Sequence, residues 1–435
     1  MIGTGRAPRP GLYFFLVAAA AFGAALGFVR EASLAAFFGA STESDAFYFA
    51  LAVPFIASQF LVGGALVPPL TAALARALAA GDAEGARSLL GRALSALLGW
   101  GGLATLACAA FAGPLVAALG PGFGPGPHAL AVSLFRLLLV YGLATSAALV
   151  VSAPLLAAGA WHVPPLALLA ANAVSLAVLV TGRSAGIQAA AWAVDAGAVV
   201  QLLFLVPFVA RLGLGPSFGP AGLRLPMHEV GLLSLSLLAA GAVDLAERSF
   251  ASTAGAGSIA LLALASKLVH LPMRLVAAPL ASVLLPRLAG GEIRKEAGIR
   301  REARDTAMFV PALLLAATAA TTLLAVPIVQ LAFGRGRFTG STAALVAVLR
   351  WLAPGILAVG LVEIGSKFLL AERRSRLVAL AQGSGLAVYL VAAPLLVTRG
   401  VNGLALARAL AWSTVAALLL VAILLPTGRS RSEKA

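Results

Sequence analysis

Long apolar runs separated by short polar loops make up almost the whole sequence. A helix needs about 20 apolar residues to cross the ~30 Å hydrocarbon layer of a bilayer, where it satisfies its own backbone hydrogen bonds. The pattern therefore predicts an all-α polytopic membrane protein. Runs of that length indicate about twelve transmembrane helices, with approximate bounds 12–29, 46–70, 93–119, 130–156, 164–180, 189–209, 230–252, 259–285, 307–331, 343–369, 377–397 and 401–424.

Rare residues within this pattern recur 218 positions apart, which is about half the length of the chain. The recurring pairs are Arg30 with Arg248, Gly39 with Gly257, Pro54 with Pro272, Pro68 with Pro286, Leu70 with Leu288, and Arg76 with Arg294. Such a repeat predicts two six-helix bundles, related by a pseudo-two-fold axis along the membrane normal because each half crosses an even number of times. We expect an N-terminal lobe at 1–211, a cytoplasmic linker at 212–225 and a C-terminal lobe at 226–435.

Composition and charge agree with this assignment. Hydrophobic residues make up 61% of the chain and charged residues 11%, too apolar a surface for one water-soluble globule. A net charge of +15 would indicate nucleic-acid binding in a soluble domain. Here the basic residues concentrate in loops on one predicted side, which follows the positive-inside rule and places both termini in the cytoplasm. We expect the bilayer, and no nucleic acid, as a partner.

Ionisable residues inside the apolar runs are the candidates for function, because each costs about 3 kcal/mol or more at membrane depth and so normally faces a cavity or a partner. Basic residues predominate near the repeated prolines, which favours an anionic phosphorylated ligand. Arg30 and Lys267 are the strongest candidates, because no acid is suitably spaced on their helices and Glu31 is expected to face elsewhere. The full set is Arg30, Arg136, Asp195, Asp244, Glu247, Arg248, Lys267, Arg274, Arg350, Glu363 and Lys367.

Internal pairing is the alternative for part of this set. Asp244 and Glu247 lie within about one helical turn of Arg248 and could neutralise it. The last three residues of the set, in the tenth predicted helix, are expected to neutralise one another. Arg136 and Arg274 could equally extend to the membrane interface.

Helix-breaking residues recur in the second and eighth predicted helices. Pro54, Gly63 and Gly64 interrupt one of these helices, and Pro272 interrupts the other. A proline removes a backbone donor and kinks its helix. Because the breaks are matched in the two halves, we predict that these four residues form hinges.

The sequence does not indicate an enzyme, a cofactor or a metal centre. No Gly-rich phosphate loop follows a strand, no nucleophile elbow is present, and the histidines lack metal-ligand spacing. These scattered histidines are His128, His162, His228 and His270.

Several short stretches resemble the MurJ/MviN family of lipid II flippases, a branch of the MOP exporter superfamily. They are LGFVRE at 26–31, FGA at 38–40, SDAF at 44–47, FAS at 250–252, KLVHLP at 267–272, LLPRL at 284–288 and FGRGRFT at 333–339. The resemblance covers most of the chain weakly. It implies two helix bundles around a central cavity, in agreement with the internal repeat.

The resemblance also implies roles for individual residues. Arg30 lies where the family has an essential arginine, Glu31 replaces an aspartate, Asp45 matches an aspartate, and Lys267 replaces an arginine. These four positions are implied to bind the headgroup or to gate the cavity. Arg248 and Arg274 join them as substrate-binding candidates from the charge pattern.

The resemblance also implies ion coupling, and the sequence departs from the family pattern at several positions. Asp244 or Glu247 resembles the acid of the family's seventh helix, which makes the two residues candidates for binding a coupling ion, Na⁺ or H⁺. Ala24, Ser58 and Gly63 stand where the family usually has two arginines and a glutamate. Typical members also add two helices that form a groove for the lipid tail.

The sequence therefore predicts an alternating-access flippase for a polyprenyl-diphosphate-linked glycan in the bacterial cytoplasmic membrane. One alternative is a cation-coupled drug exporter of the same superfamily, for which an acidic or aromatic cavity is expected. Another is a non-transporting scaffold that holds cell-wall synthesis proteins through its basic loops.

Overall fold

In a computed structural model of the protein, the described residues are 10–215, 227–272, 311–372 and 374–424. They form helices joined by short turns, and these ranges contain no β-strand. The structure therefore confirms the all-α prediction. Most of the predicted linker (216–225), Arg274 and the charged loop 287–305 lie outside the described residues.

The helices divide into two compact units, Met1–Ser234 with Gly336–Phe338, and Leu235–Arg335 with Thr339–Ala435. The first nine helices belong to the first unit: α1 Pro10–Phe38, α2 Thr42–Ile56, α3 Val67–Ala79, α4 Ala83–Ala96, α5 Gly102–Ala110, α6 Ala112–Leu119, α7 Pro125–Ala157, α8 Val163–Thr181 and α9 Gln188–Arg211. The second unit holds most of α10 Met227–Ser252, followed by α11 Ser258–Pro272, α12 Pro311–Leu323, α13 Ala325–Phe333, α14 Thr342–Leu352, α15 Gly355–Ala371, α16 Ser375–Leu396 and α17 Val401–Leu424.

Eight helical stretches in the described residues are long and apolar enough to cross a membrane, and two bent pairs raise the number to ten. The bent pairs are α12 with α13 and α14 with α15, at angles of 75° and 49°. Two further predicted segments correspond to α10, which carries several charged residues, and to α11, whose last described residue is Pro272. The structure thus supports a multi-pass protein, while the number twelve stays a prediction.

Three irregular points of the backbone recur in the two halves. Two are glycines with positive φ in turns between helices, where a side chain would be strained. The third is a sharp break between two short helices. The pairs are Gly39 (φ 68°) with Gly257 (φ 85°), Gly186 (φ 72°) with Gly400 (φ 64°), and Phe111 (φ −96°) with Leu324 (φ −94°). This local agreement supports the internal repeat, and the symmetry axis itself stays a prediction.

The start of α2 shows how local sequence sets a helix boundary. Ser41 and Ser44 form a capping box, in which the Ser41 hydroxyl accepts from the Ser44 N–H at 3.3 Å and the Ser44 hydroxyl accepts from the Ser41 N–H at 2.9 Å. These bonds satisfy backbone donors that the first turn leaves unpaired. Gly39, with its positive φ, turns the chain immediately before this cap.

In the first unit, α8 packs between α1 and α9, and glycines allow the close approach on both sides. A Cβ added at Gly27 of α1 would lie 3.4 Å from Nδ2 of Asn172 on α8, and the Asn172 side chain donates to the Gly23 carbonyl at 3.0 Å. A Cβ at Gly197 of α9 would lie 2.9 Å from the Ala171 carbonyl oxygen on α8. Small residues at such contacts are how membrane helices pack without a hydrophobic driving force.

Because the obstacle at Gly197 is backbone, Gly197→Ala is expected to destabilise the protein by about 1–3 kcal/mol through overpacking. The matched control is Gly102→Ala on α5, where an added Cβ meets nothing within 4 Å and helix propensity favours alanine by about 0.5–1 kcal/mol. Thermal unfolding of the purified variants measures both effects. Equal midpoints for Gly197→Ala and the wild type would contradict the close packing of α8 on α9.

Candidate functional site

The first unit contains a buried polar cluster formed by Arg30, Glu31, Tyr48 and Ser175, which we call the Arg30 cluster. Nη2 of Arg30 donates to Oε1 of Glu31 at 2.8 Å, and its Nη1 lies 3.4 Å from Oγ of Ser175 on α8. The Tyr48 hydroxyl donates to the other carboxylate oxygen, Oε2 of Glu31, at 2.9 Å. The cluster thus joins three helices, α1, α2 and α8.

The Glu31 contact corrects the expectation that Glu31 faces away from Arg30. Successive side chains of a helix do not normally face each other, but the long Arg30 side chain bends to its neighbour. Glu31 is only 8% exposed, and a buried carboxylate without a partner is costly. The side chain of Arg30 is 22% exposed and that of Glu31 is 10% exposed, so Arg30 is the more accessible member of the pair.

The two other acids of this unit take different positions. Asp45 is buried in the first turn of α2, where a negative charge is favoured by the helix dipole. Asp195 of α9 accepts a hydrogen bond at 2.9 Å from the backbone N–H of Tyr141 in α7. Neither acid is a hydrogen-bond partner of Arg30, whose two bonds go to Glu31 and Ser175.

The predicted hinge residues of the first half lie on an unusual stretch of helix. Pro54 is inside α2, and the following segment Ala57–Leu66, which contains Gly63 and Gly64, is a π-helix. A π-helix is wider than an α-helix, is rare, and occurs often at functional sites. The sequence therefore located an irregular segment correctly, and its role as a hinge stays a proposal.

The second unit contains another buried charged cluster, formed by Asp244, Glu247, Arg408 and Trp412, which we call the Arg408 cluster. Nη2 of Arg408 on α17 donates to Oδ1 of Asp244 on α10, and Nη1 of Arg408 lies 3.6 Å from Oε2 of Glu247. The guanidinium also lies over the Trp412 ring, 4.8 Å from its centre. Both predicted ion-coupling acids therefore face an arginine of their own unit.

Sequence reasoning missed Arg408. Its position inside the apolar run 401–424 is a signal that could have identified it. The charge-at-depth criterion that selected Arg30 applies equally to this residue. Pairing of Asp244 and Glu247 with Arg248 was instead the expected alternative. In the structure, Nη1 of Arg248 donates to the backbone carbonyl of Asp244 at 2.9 Å, whereas the carboxylate of Asp244 bonds to Arg408.

The remaining predicted residues are spread over both units. Lys267 is half-buried on α11, and Pro272 is the last described residue of that helix. Arg136 is exposed and donates from Nε to the Ala109 carbonyl at 3.2 Å. Of the late group, Lys367 and Glu363 form the expected ion pair at 2.6 Å, while Arg350 is exposed.

Long apolar helices that enclose ionisable residues define a multi-pass membrane protein, and such residues at membrane depth mark candidate functional positions. The model of the family Lipid II flippase MurJ matches residues 34–428. The chain belongs to this family. It is therefore a bacterial inner-membrane, multi-pass transporter, not an enzyme. Within the described ranges, no three His, Cys, Asp or Glu residues come together as a metal-binding group.

Two curated relatives illustrate the similarity. The Lipid II flippase MurJ of Burkholderia cenocepacia is 29% identical over 355 residues, which cover 78% of this chain and 68% of the relative. The probable lipid II flippase MurJ of Rhizobium meliloti is 27% identical over 438 residues, covering 95% of this chain and 80% of the relative.

Solved structures show the same fold. A Lipid II flippase MurJ in an inward closed conformation superposes with a TM-score of 0.79 at 17% identity, over 94% of this chain and 87% of the other. An inward-facing multidrug resistance MATE family transporter of the MOP superfamily gives 0.75 at 19% identity, over 93% and 94%. At these identities the likeness establishes the fold alone.

Proposed function

We propose that this protein moves lipid II, a polyprenyl-diphosphate-linked glycan, across the bacterial cytoplasmic membrane by alternating access. The observation that carries this proposal is the match to the lipid II flippase family over residues 34–428. The relatives named above are lipid II flippases or probable lipid II flippases. The proposal includes the predicted orientation with both termini in the cytoplasm.

The Arg30 cluster supports a role in holding the diphosphate. A guanidinium presents a planar fork of N–H donors that fits phosphate oxygens, and Arg30 is the partly accessible member of its buried pair. We propose that diphosphate oxygens replace Oε1 of Glu31 as the acceptor for Arg30. The Tyr48 hydroxyl, which bonds to the other Glu31 oxygen, would then keep the displaced carboxylate partnered.

The other predicted substrate-binding residues enter the proposal as further contacts to the anionic headgroup. They are Asp45, Arg248, Lys267 and Arg274. The basic residues would donate to phosphate oxygens, and the acid Asp45 would bind the headgroup or gate the cavity. The segments that contain Pro54, Gly63, Gly64 and Pro272 would bend as access changes sides.

Reconstitution tests the function directly. Proteoliposomes that contain fluorescent lipid II are expected to show protein-dependent transfer of the headgroup between leaflets, measured by chemical quenching from outside. Protein-free vesicles and vesicles with a fluorescent zwitterionic phospholipid are the controls. Equal transfer of both lipids would indicate a nonselective scramblase, and no transfer of either would contradict transport and favour the scaffold hypothesis.

A further inference from the structure

The acidic pair of α10 already has a cation between its carboxylates, supplied by α17 of the same unit. Arg408 is only 7% exposed. It donates from Nη2 to Asp244, and its Nη1 lies 3.6 Å from Glu247. One guanidinium therefore spans both carboxylates.

Arg248 adds a second guanidinium close to the acidic pair. Arg248 donates from Nη1 to the Asp244 backbone carbonyl at 2.9 Å, and it lies four residues after Asp244 and one after Glu247 on α10. Two carboxylates thus share two guanidiniums. Because charges interact strongly in a low-dielectric interior, a further metal cation at the pair would leave an uncompensated positive charge.

Packing holds Arg408 in this position. Its guanidinium stacks on Trp412, one turn later on α17, and the His270 ring meets the Trp412 ring edge-on with centres 5.6 Å apart. Nε and Nη1 of Arg408, Oε2 of Glu247 and the Tyr389 hydroxyl are buried without a hydrogen bond among the described residues. Charge attraction and the aromatic contact therefore fix the guanidinium more than a full set of hydrogen bonds does.

We propose that Arg408 is the resident cation of the second unit, which fills the place that a Na⁺ ion would otherwise take between Asp244 and Glu247. The wild-type unit then binds no Na⁺ at these carboxylates, and Arg408 determines this ion specificity. The inference opposes the sequence-based prediction that these acids bind a coupling Na⁺. It further implies that removal of the guanidinium, with the acids intact, creates a Na⁺ site.

The test compares thermal unfolding of the purified full chain in Na⁺ and in choline at equal ionic strength and alkaline pH. The wild type is expected to unfold at the same temperature in both salts. Arg408→Gln is expected to unfold about 2 °C or more higher in Na⁺ than in choline, because an ion that binds only the folded state stabilises it. Arg408→Lys restores a tethered cation and should lose this difference.

Two further variants provide controls. Arg399→Gln removes an exposed arginine of the same unit and should leave the salt response unchanged. Asp244→Asn/Glu247→Gln/Arg408→Gln removes the acids as well and should show no Na⁺ effect. A folded Arg408→Gln variant that unfolds at the same temperature in Na⁺ and in choline would overturn the proposal.

If Arg408→Gln is too unstable to purify, binding of radioactive sodium to the wild type tests whether Na⁺ binds at these carboxylates. Bound sodium that is lost in Asp244→Asn would overturn the proposal, and absence of binding would support it. Both measurements use protein without lipid II. Their outcome is therefore independent of whether the proposed flippase function holds.

Discussion

Lipid II translocation is expected to fall by about 30-fold or more in Arg30→Ala, because loss of one partner from a buried hydrogen-bonded charge pair costs about 2 kcal/mol or more. The variant removes the proposed diphosphate contact and also leaves Glu31, which is 8% exposed, without its 2.8 Å partner. The initial rate in proteoliposomes measures the loss. Arg183→Ala, which removes an exposed arginine of the same unit, should transport at the wild-type rate.

A double variant separates binding from structural support at this site. Arg30→Gln/Glu31→Gln removes both charges, so no buried carboxylate is left unpaired. We expect it to unfold near the wild-type temperature and still to transport poorly, because the amide cannot replace a cationic fork. Wild-type transport by this double variant would show that Arg30 serves only to neutralise Glu31, and would remove Arg30 from the proposed headgroup site.

Stability is expected to fall by about 3–5 kcal/mol in Arg408→Leu, the usual cost of breaking a buried ion pair from one side. The side chains of Arg408 and Glu247 are each 8% exposed, so water cannot solvate the acid left behind. Thermal unfolding in choline, without Na⁺, measures this effect. Arg399→Leu, at an exposed position of the same unit, is the matched control.

A neutral variant tests the reason for that loss. Asp244→Asn/Glu247→Gln/Arg408→Leu removes both carboxylates together with Arg408 and leaves Arg248 with its bond to the Asp244 backbone carbonyl. We expect this variant to recover part of the lost stability, because no buried carboxylate is left unpaired. If Arg408→Leu unfolds at the wild-type temperature, another group neutralises the two carboxylates, and the ion pairs of Arg408 do not contribute to the stability of the protein. If the neutral variant is as unstable as Arg408→Leu, packing against Trp412 rather than charge is the main contribution of Arg408.

Sequence reasoning correctly predicted the features that depend only on neighbouring residues in the chain. Apolar runs long enough to cross a bilayer became helices, as in Val401–Leu424, whose predicted bounds agree with the structure. Pro54, Gly63 and Gly64 marked a real irregularity, since Pro54 precedes a π-helix that contains both glycines. These features depend on neighbours in the sequence, so the sequence contains enough information to predict them.

Charge pairing was predicted less well, because it depends on which helices pack together. Arg30 lies on the helix where the sequence indicated a site, but its carboxylate partner Glu31 was expected to point away and instead accepts at 2.8 Å. Asp244 and Glu247 were predicted to bind a coupling ion, with pairing to Arg248, within four residues of both acids, as the alternative. Their carboxylates face Arg408, which is 164 residues from Asp244 along the chain.

The sequence by itself predicted an all-helical, internally repeated membrane protein that resembles the lipid II flippases, because hydrophobic length and short motifs are local properties. Only the tertiary structure decided which buried charges neutralise one another. In a low-dielectric interior a guanidinium binds the carboxylate that helix packing brings within reach. For Arg408 that packing joins α17 to α10, a pairing that no spacing along the chain encodes.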